Sequence, residues 1–187
     1  MYEHDLSLVI DEDHPAYRWA KKQSDSVSAL GHIGTHIDCY QHVPEKNDYQ
    51  VETVVLDCSE RMPLPAEIEG LDLSGKALVL FSGNLEKNGY GSPEYGAEKT
   101  ILPSAVLDLI LTKSPAFILI DSYGIGAHGE EHISFDKRCE AEKCFVIENV
   151  LLTASIVFSL TRLKIQFNRA FAATAIPCKL RASTAYL

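Results

Sequence analysis

Residues 32 to 42 read His-Ile-Gly-Thr-His-Ile-Asp-Cys-Tyr-Gln-His and crowd four chemically active side chains into eleven positions. Imidazole nitrogens and carboxylate oxygens are the usual ligands of divalent zinc and manganese. His32, Gly34, His36, Asp38 and His42 all fall on even positions. On an extended chain alternate side chains share a face. His32, His36 and Asp38 would then converge on one side, Gly34 leaving room for an ion, with Ile33 and Ile37 turned to the core. A helix would scatter the same positions round its circumference. His42 follows Asp38 after Cys39-Tyr40-Gln41, a distance that lets it stand beside a metal without ligating it. Cys39, at an odd position, would face away.

This run alone does not complete a two-metal site. Asp121, His128, His132 and Glu148 are the candidates in the second half. Glu148 closes the apolar run Cys144-Phe145-Val146-Ile147, and a charge at the end of a buried strand is costly without a partner. An ion pair is the plain structural explanation; with the first motif in view, a metal ligand explains it better. Asp121 ends another apolar run and reads more readily as a cap for Ser122-Tyr123-Gly124. His128 to His132 matches H-x-x-E-H, a zinc-protease pattern that works only when both histidines share a helix face. Gly124, Gly126 and Gly129 argue against that helix, so one histidine of this segment is the expected ligand. Cys139 and Cys144 lack a matching pair and do not make a zinc site.

Several elements must position these residues. Strands are predicted at Leu6–Ile10, Ser28–Asp38 (carrying the motif), Val51–Asp57, Lys76–Phe81, Ala116–Asp121 and Phe145–Glu148. A late strand region covers Lys164–Ala175. Pro103–Lys113 has helical spacing with Pro at the start, and a short helix is expected near Leu151–Leu160. Arg61–Gly75 and Ser82–Thr100 read as loops rich in Gly and Pro. The second loop carries Tyr90 and Tyr95, which with Tyr123 are candidate pocket aromatics. Strands with only a few helices between them indicate an α/β domain built on a mixed sheet. No linker divides residues 1–187, so one domain is expected.

The composition excludes some partners. Lys and Arg number 17 against 26 Asp and Glu, a formal net charge of -9, which argues against nucleic acid and anionic membranes. Apolar residues make up 46% and no apolar run reaches membrane-spanning length. Five scattered cysteines and a polar, acidic start are read as reduced thiols in a cytoplasmic protein.

On the residues His32-Ile33-Gly34-Thr35-His36-Ile37-Asp38-Cys39-Tyr40-Gln41-His42, the strand Phe117–Ser122 and the run Val146-Ile147-Glu148-Asn149, the chain resembles the cyclase-like metal-dependent hydrolases. Bacterial kynurenine formamidases (arylformamidases) are the best-known members. The resemblance implies a swivelling β/β/α-like domain and a homo-oligomer, dimer or tetramer. It implies His32, His36 and Asp38 as ligands of a first metal, with Asp38 bridging to a second held also by a downstream histidine and Glu148. His132 is the expected histidine and His128 the alternative. His42 corresponds to the catalytic histidine. The family's usual proline is replaced by Tyr40, and the interval from His132 to Glu148 is longer than in the formamidases. Imidazole and carboxylate ligands fit Zn best, with Mn the alternative and two ions accommodated. Such ions activate a water as nucleophile, and His42 can serve as general acid/base. The expected function is hydrolysis of a non-peptide amide, formamide or cyclic amide of small size. The alternative is an inactive metal-binding or ligand-binding protein of the same fold.

Overall fold

The computed structural model describes residues 2–18, 21–22, 29–170 and 174–184. Its strands are β1 (Tyr2–Asp5), β2 (His36–Asp38), β3 (Asp48–Asp57), β4 (Ala77–Phe81), β5 (Phe117–Ile120), β6 (Phe145–Glu148), β7 (Leu160–Phe167) and β8 (Ala175–Thr184). The helices between them are α1 (Pro65–Glu69), α2 (Asn84–Asn88), α3 (Pro93–Ala97), α4 (Ser104–Thr112) and α5 (Glu130–Ala141). Strands β2, β6, β5, β4, β3, β7 and β8 pair in that order, and β8 pairs again with β2 to close a seven-stranded mixed barrel. β1 lies antiparallel along the far part of β8. This is the mixed α/β architecture with few helices that the sequence implies.

Strands β3 to β6 are parallel neighbours. Parallel neighbours need crossover connections, and helices supply them. β4, β5 and β6 are near-continuous apolar runs because both their faces are covered. Ala77, Val79, Phe81, Phe117, Leu119, Phe145 and Ile147 point into the barrel, where they meet Leu163, Ile165 and Leu180. The alternate residues Leu78, Leu80, Ile118, Ile120 and Val146 pack against Ile68 of α1, Val106 and Ile110 of α4, and Phe135 and Cys139 of α5.

β2 joins this pattern through β6. Ile37 stands opposite Ile147 and both enter the barrel core, while His36 stands opposite Glu148. By strand alternation His36, Asp38 and Glu148 therefore emerge on the face covered by α5.

Several expectations are corrected. The first strand is Tyr2–Asp5, and Leu6–Ile10 contributes only an isolated bridge from Ser7 to Val150. Of Ser28–Asp38, only His36–Asp38 is a strand; Ala29–His32 is a 3-10 turn followed by a bend, and Ser28 lies outside the described residues. The bend turns at Gly34, with φ of +66°, a region that L side chains avoid. Ile33 is accordingly only half-buried, whereas Ile37 is fully buried. The predicted late strand is in fact two, β7 and β8, paired antiparallel. Leu151–Leu160 contains only a short 3-10 turn at Val157–Ser159. The Ser82–Thr100 loop contains α2 and α3, and Arg61–Gly75 contains α1.

Gly34 also has its Cα against the carbonyl oxygen of Leu8, where a Cβ would collide. Gly34→Ala should destabilise the fold by at least about 1–3 kcal/mol, lowering the thermal midpoint by roughly 3–10 °C. Gly75, with φ of +68° and nothing within 4 Å of its would-be Cβ, is the control. Gly75→Ala should show the strain alone and a smaller drop, read by thermal melts of both variants.

Candidate metal centre

His36 and Asp38 project from β2 on one face, as alternation requires. His32 reaches them differently, from the 3-10 turn through the Gly34 bend. Its Nδ1 lies 3.1 Å from Asp38 Oδ1, and its Nε2 is 3.0 Å from Thr174 Oγ1. His36 Nε2 lies 3.6 Å from both Asp38 Oδ1 and Glu148 Oε2. Its other nitrogen, Nδ1, is 2.9 Å from the carbonyl oxygen of Gly34, to which it donates as Nδ1–H. That bond leaves the Nε2 lone pair bare and aimed at the carboxylates, the arrangement found behind metal-binding histidines.

The Gly34-Thr35 turn is itself tied down. Asn149 Nδ2 donates to the Gly34 carbonyl at 3.1 Å, and Thr35 Oγ1 donates to the Asn149 carbonyl at 2.7 Å. The Leu8 amide donates to Thr35 Oγ1 at 2.7 Å. Tyr90 Oη accepts from the Gly34 amide at 3.1 Å, and Tyr95 donates to Asn149 Oδ1. Tyr123 donates to the Glu98 carbonyl. The three tyrosines thus hold loops in place.

α5 closes the site. Its first turn carries His132, whose Nε2 lies 3.5 Å from Asp38 Oδ2, 3.4 Å from Glu148 Oε1 and 3.3 Å from Asp136 Oδ2. Gly124, with φ of +111°, passes so close that a Cβ there would sit 2.5 Å from the His132 ring and 2.6 Å from Glu148 Oε1. One turn beyond Asp136, buried Glu140 accepts the backbone amides of Tyr40, Gln41 and His42 at 2.5, 2.7 and 2.7 Å. It thereby clamps the segment that leaves Asp38.

Two groups of donors result, each with its atoms within 4.8 Å of one another: His32, His36 and Asp38, and Asp38, His132, Asp136 and Glu148. Among the described residues, the buried side-chain atoms without any hydrogen-bond partner are His36 Nε2, His132 Nδ1, both Asp38 oxygens, both Asp136 oxygens and Glu148 Oε1 here, and Asp121 Oδ2 elsewhere. Buried polar atoms in folded proteins are nearly always satisfied. A cluster of unsatisfied acceptors of this composition fits one or two divalent cations, which would supply the missing partners.

The family model "Putative cyclase" matches residues 4–136. The chain belongs to this cyclase family. No curated protein matches the sequence. The fold is similar to the solved structure of a potential metal-dependent hydrolase with cyclase activity, at TM-score 0.70 and 16% identity, covering 100% of this chain and 99% of that one. It is also similar to a predicted metal-dependent hydrolase from Bacillus stearothermophilus (TM-score 0.68, 16% identity, 97% of each chain covered). A third is isatin hydrolase A from Labrenzia aggregata bound to benzyl benzoate (TM-score 0.71, 12% identity, 99% and 94% covered).

In this cyclase-family chain the expected ligands His32, His36, Asp38, His132 and Glu148 come together. His128 precedes α5 and is exposed, so His128 and His132 do not share a helix. His42 stands outside both donor groups, its side chain 61% exposed and its Nδ1 3.8 Å from Glu140 Oε2. Asp121 accepts from the amide and hydroxyl of Ser82 at 2.7 and 2.8 Å, across to β4 rather than into its own following loop. Cys39 is buried in the barrel core, and Cys139, on α5, and Cys144 are buried in the cluster between the sheet and the helices. Sequence reasoning missed Asp136 and Glu140. Their signal was the spacing 132, 136, 140, one face of a helix at three successive turns.

Burial raises Glu148 well above the usual carboxylate range, and the negative charges of Asp38 and Asp136 add to it. Burial and the Asp38 charge do the same to Asp136. Burial also opposes ionisation of Asp38, yet its contacts with His36, His132 and His32 prevail and hold it well below that range. Burial would lower His132, but Asp38 and Asp136 prevail and raise it. A cation entering the metal-free site must displace the protons that these raised groups retain. Apparent affinity for Zn²⁺ should therefore rise with pH through the acid-to-neutral range, with protons released on binding. Isothermal titration in two buffers of different ionisation enthalpy measures this; pH-independent affinity would contradict it.

Proposed function

We propose that the protein is a metal-dependent hydrolase acting on a carbon–nitrogen bond of a small non-peptide amide, formamide or cyclic amide. The observation that carries this reading is the convergence of bare imidazole nitrogens and unsatisfied buried carboxylate oxygens from β2, β6 and α5. The site also reaches the surface on one side. The side chains of His36, Asp38 and Glu148 are almost wholly enclosed, while His32 and His132 retain 27% and 14% exposure. A catalytic metal keeps one position open, whereas a structural one is closed. Solved proteins of similar fold are named isatin hydrolases and a predicted metal-dependent hydrolase; isatin is itself a cyclic amide.

His32, His36 and Asp38 would hold one ion, and Asp38, His132 and Glu148 a second, with zinc favoured and manganese the alternative. Bound there, a divalent ion polarises a carbonyl and lowers the pKa of water in its coordination shell. An amide also needs a proton for its departing nitrogen. His42 is assigned that task. Glu140 lies on the same face of α5 as His132 and grips the three amides of residues 40–42, which holds His42 at the rim of the site. The contact of Nδ1 with Glu140 leaves Nε2 as the nitrogen for proton transfer.

Metal analysis and an activity screen on formamides, cyclic amides and lactones test the reading. Hydrolysis should vanish on chelation and return with Zn²⁺ or Mn²⁺; protein that binds neither ion would sink it. His42→Ala should keep its metal and lose turnover by about 10²–10⁴-fold. Equal loss of metal and turnover would make His42 a ligand instead.

A further inference from the structure

Asp136 is 2% exposed, and neither of its oxygens accepts a hydrogen bond. It sits one helical turn after His132, so an i,i+4 ion pair within α5 is the simplest account of it. The geometry argues otherwise. A carboxylate that merely orients a ligating histidine grips the nitrogen turned away from the ion. Asp136 Oδ2 instead lies 3.3 Å from His132 Nε2, the nitrogen that also faces Asp38 and Glu148. His132 Nδ1 is buried with no partner. Asp136 thus stands inside the donor group with Asp38 and Glu148, not behind it.

Three carboxylates gathered round one imidazole form a costly arrangement unless a cation is present. Ionised together without donors they would repel one another, and among the described residues the ion pairs of Asp38, Asp136 and Glu148 all go to histidines. The neighbouring position differs in kind, with two imidazoles and a single shared carboxylate. Imidazole suits zinc, whereas carboxylate oxygen suits harder ions such as manganese and magnesium.

We propose that Asp136 is a ligand of the second metal position, together with Asp38, His132 and Glu148, and makes that position selective for a hard divalent ion such as Mn²⁺. The first position, His32, His36 and Asp38, keeps its preference for Zn²⁺. This rests on the metal-dependent reading above, and a binding measurement separates the two without reference to turnover.

The test uses metal-free full-length protein and Asp136→Asn, which preserves shape while removing the charge. Mn²⁺ binding is followed by loss of the free-ion electron paramagnetic resonance signal, and Zn²⁺ content by elemental analysis. Asp136→Asn should bind Mn²⁺ more than ~100-fold more weakly, since even residues that only support a ligand account for 10–100-fold. It should retain one Zn²⁺ per chain. Thermal melts guard against misfolding. Without metal the variant should melt at or above the wild-type midpoint, because a crowded carboxylate is gone, while the Mn²⁺-induced rise shrinks. A lower metal-free midpoint with an unchanged Mn²⁺-induced rise would make Asp136 a structural partner of His132 and overturn the proposal. Mn²⁺ binding by the variant within about 3-fold of wild type would overturn it too, leaving the metal-dependent reading intact. Wild-type protein that binds no divalent ion would overturn both.

Discussion

The antiparallel rung that sets His36 opposite Glu148 and Ile37 opposite Ile147 is the constraint on which the rest depends. It decides at once which side chains fill the barrel and which face α5. A slip of one residue in this register would drive His36 and Asp38 into the apolar interior and push Ile37 out. Burying those charges among Val79, Leu119 and Ile165 would cost several kcal/mol per ion. The apolar core and the polar site thus enforce the same pairing, and the core supplies the driving force for assembling the site.

Around that rung lies a contrast between satisfied and unsatisfied groups. The Gly34 carbonyl accepts from His36 and Asn149, Thr35 bridges Leu8 and Asn149, and the amides of residues 40–42 all reach Glu140. Every one of these bonds fixes a backbone segment or a ring orientation. Among the atoms left bare are His36 Nε2, both oxygens of Asp38 and Asp136, and Glu148 Oε1, all gathered at this site. A scaffold so fully bonded that presents so many open acceptors at one point holds a set of donors whose chemistry suits a divalent cation.

α5 uses one face for three purposes. His132 enters the donor group, Asp136 stands beside it, and Glu140 grips the segment that bears His42. The opposite edge of the site is set by Gly124, whose missing side chain is the space that His132 and Glu148 occupy. Phe135 and Cys139, from the same helix, pack on the outer face of the sheet and hold that polar face in register over the site.

Much of this was legible in the sequence. The spacing of His36 and Asp38 identified a shared face because strand alternation is a local property, and the apolar runs of β4, β5 and β6 announced themselves because both their faces are buried. Glu148 stood out as a charge ending such a run. What the sequence could not decide was how His32 joins them. The even spacing suggested one strand from 28 to 38, whereas a 3-10 turn and the positive φ of Gly34 do the work, held by Leu8, Tyr90 and Asn149 from distant parts of the chain. Asp136 and Glu140 were likewise hidden, since three glycines before α5 obscured the helix that aligns them. Local spacing and residue type marked the candidate metal-binding side chains; barrel closure, a long-range pairing that no short window contains, decided which carboxylates meet and which nitrogen of each histidine they face.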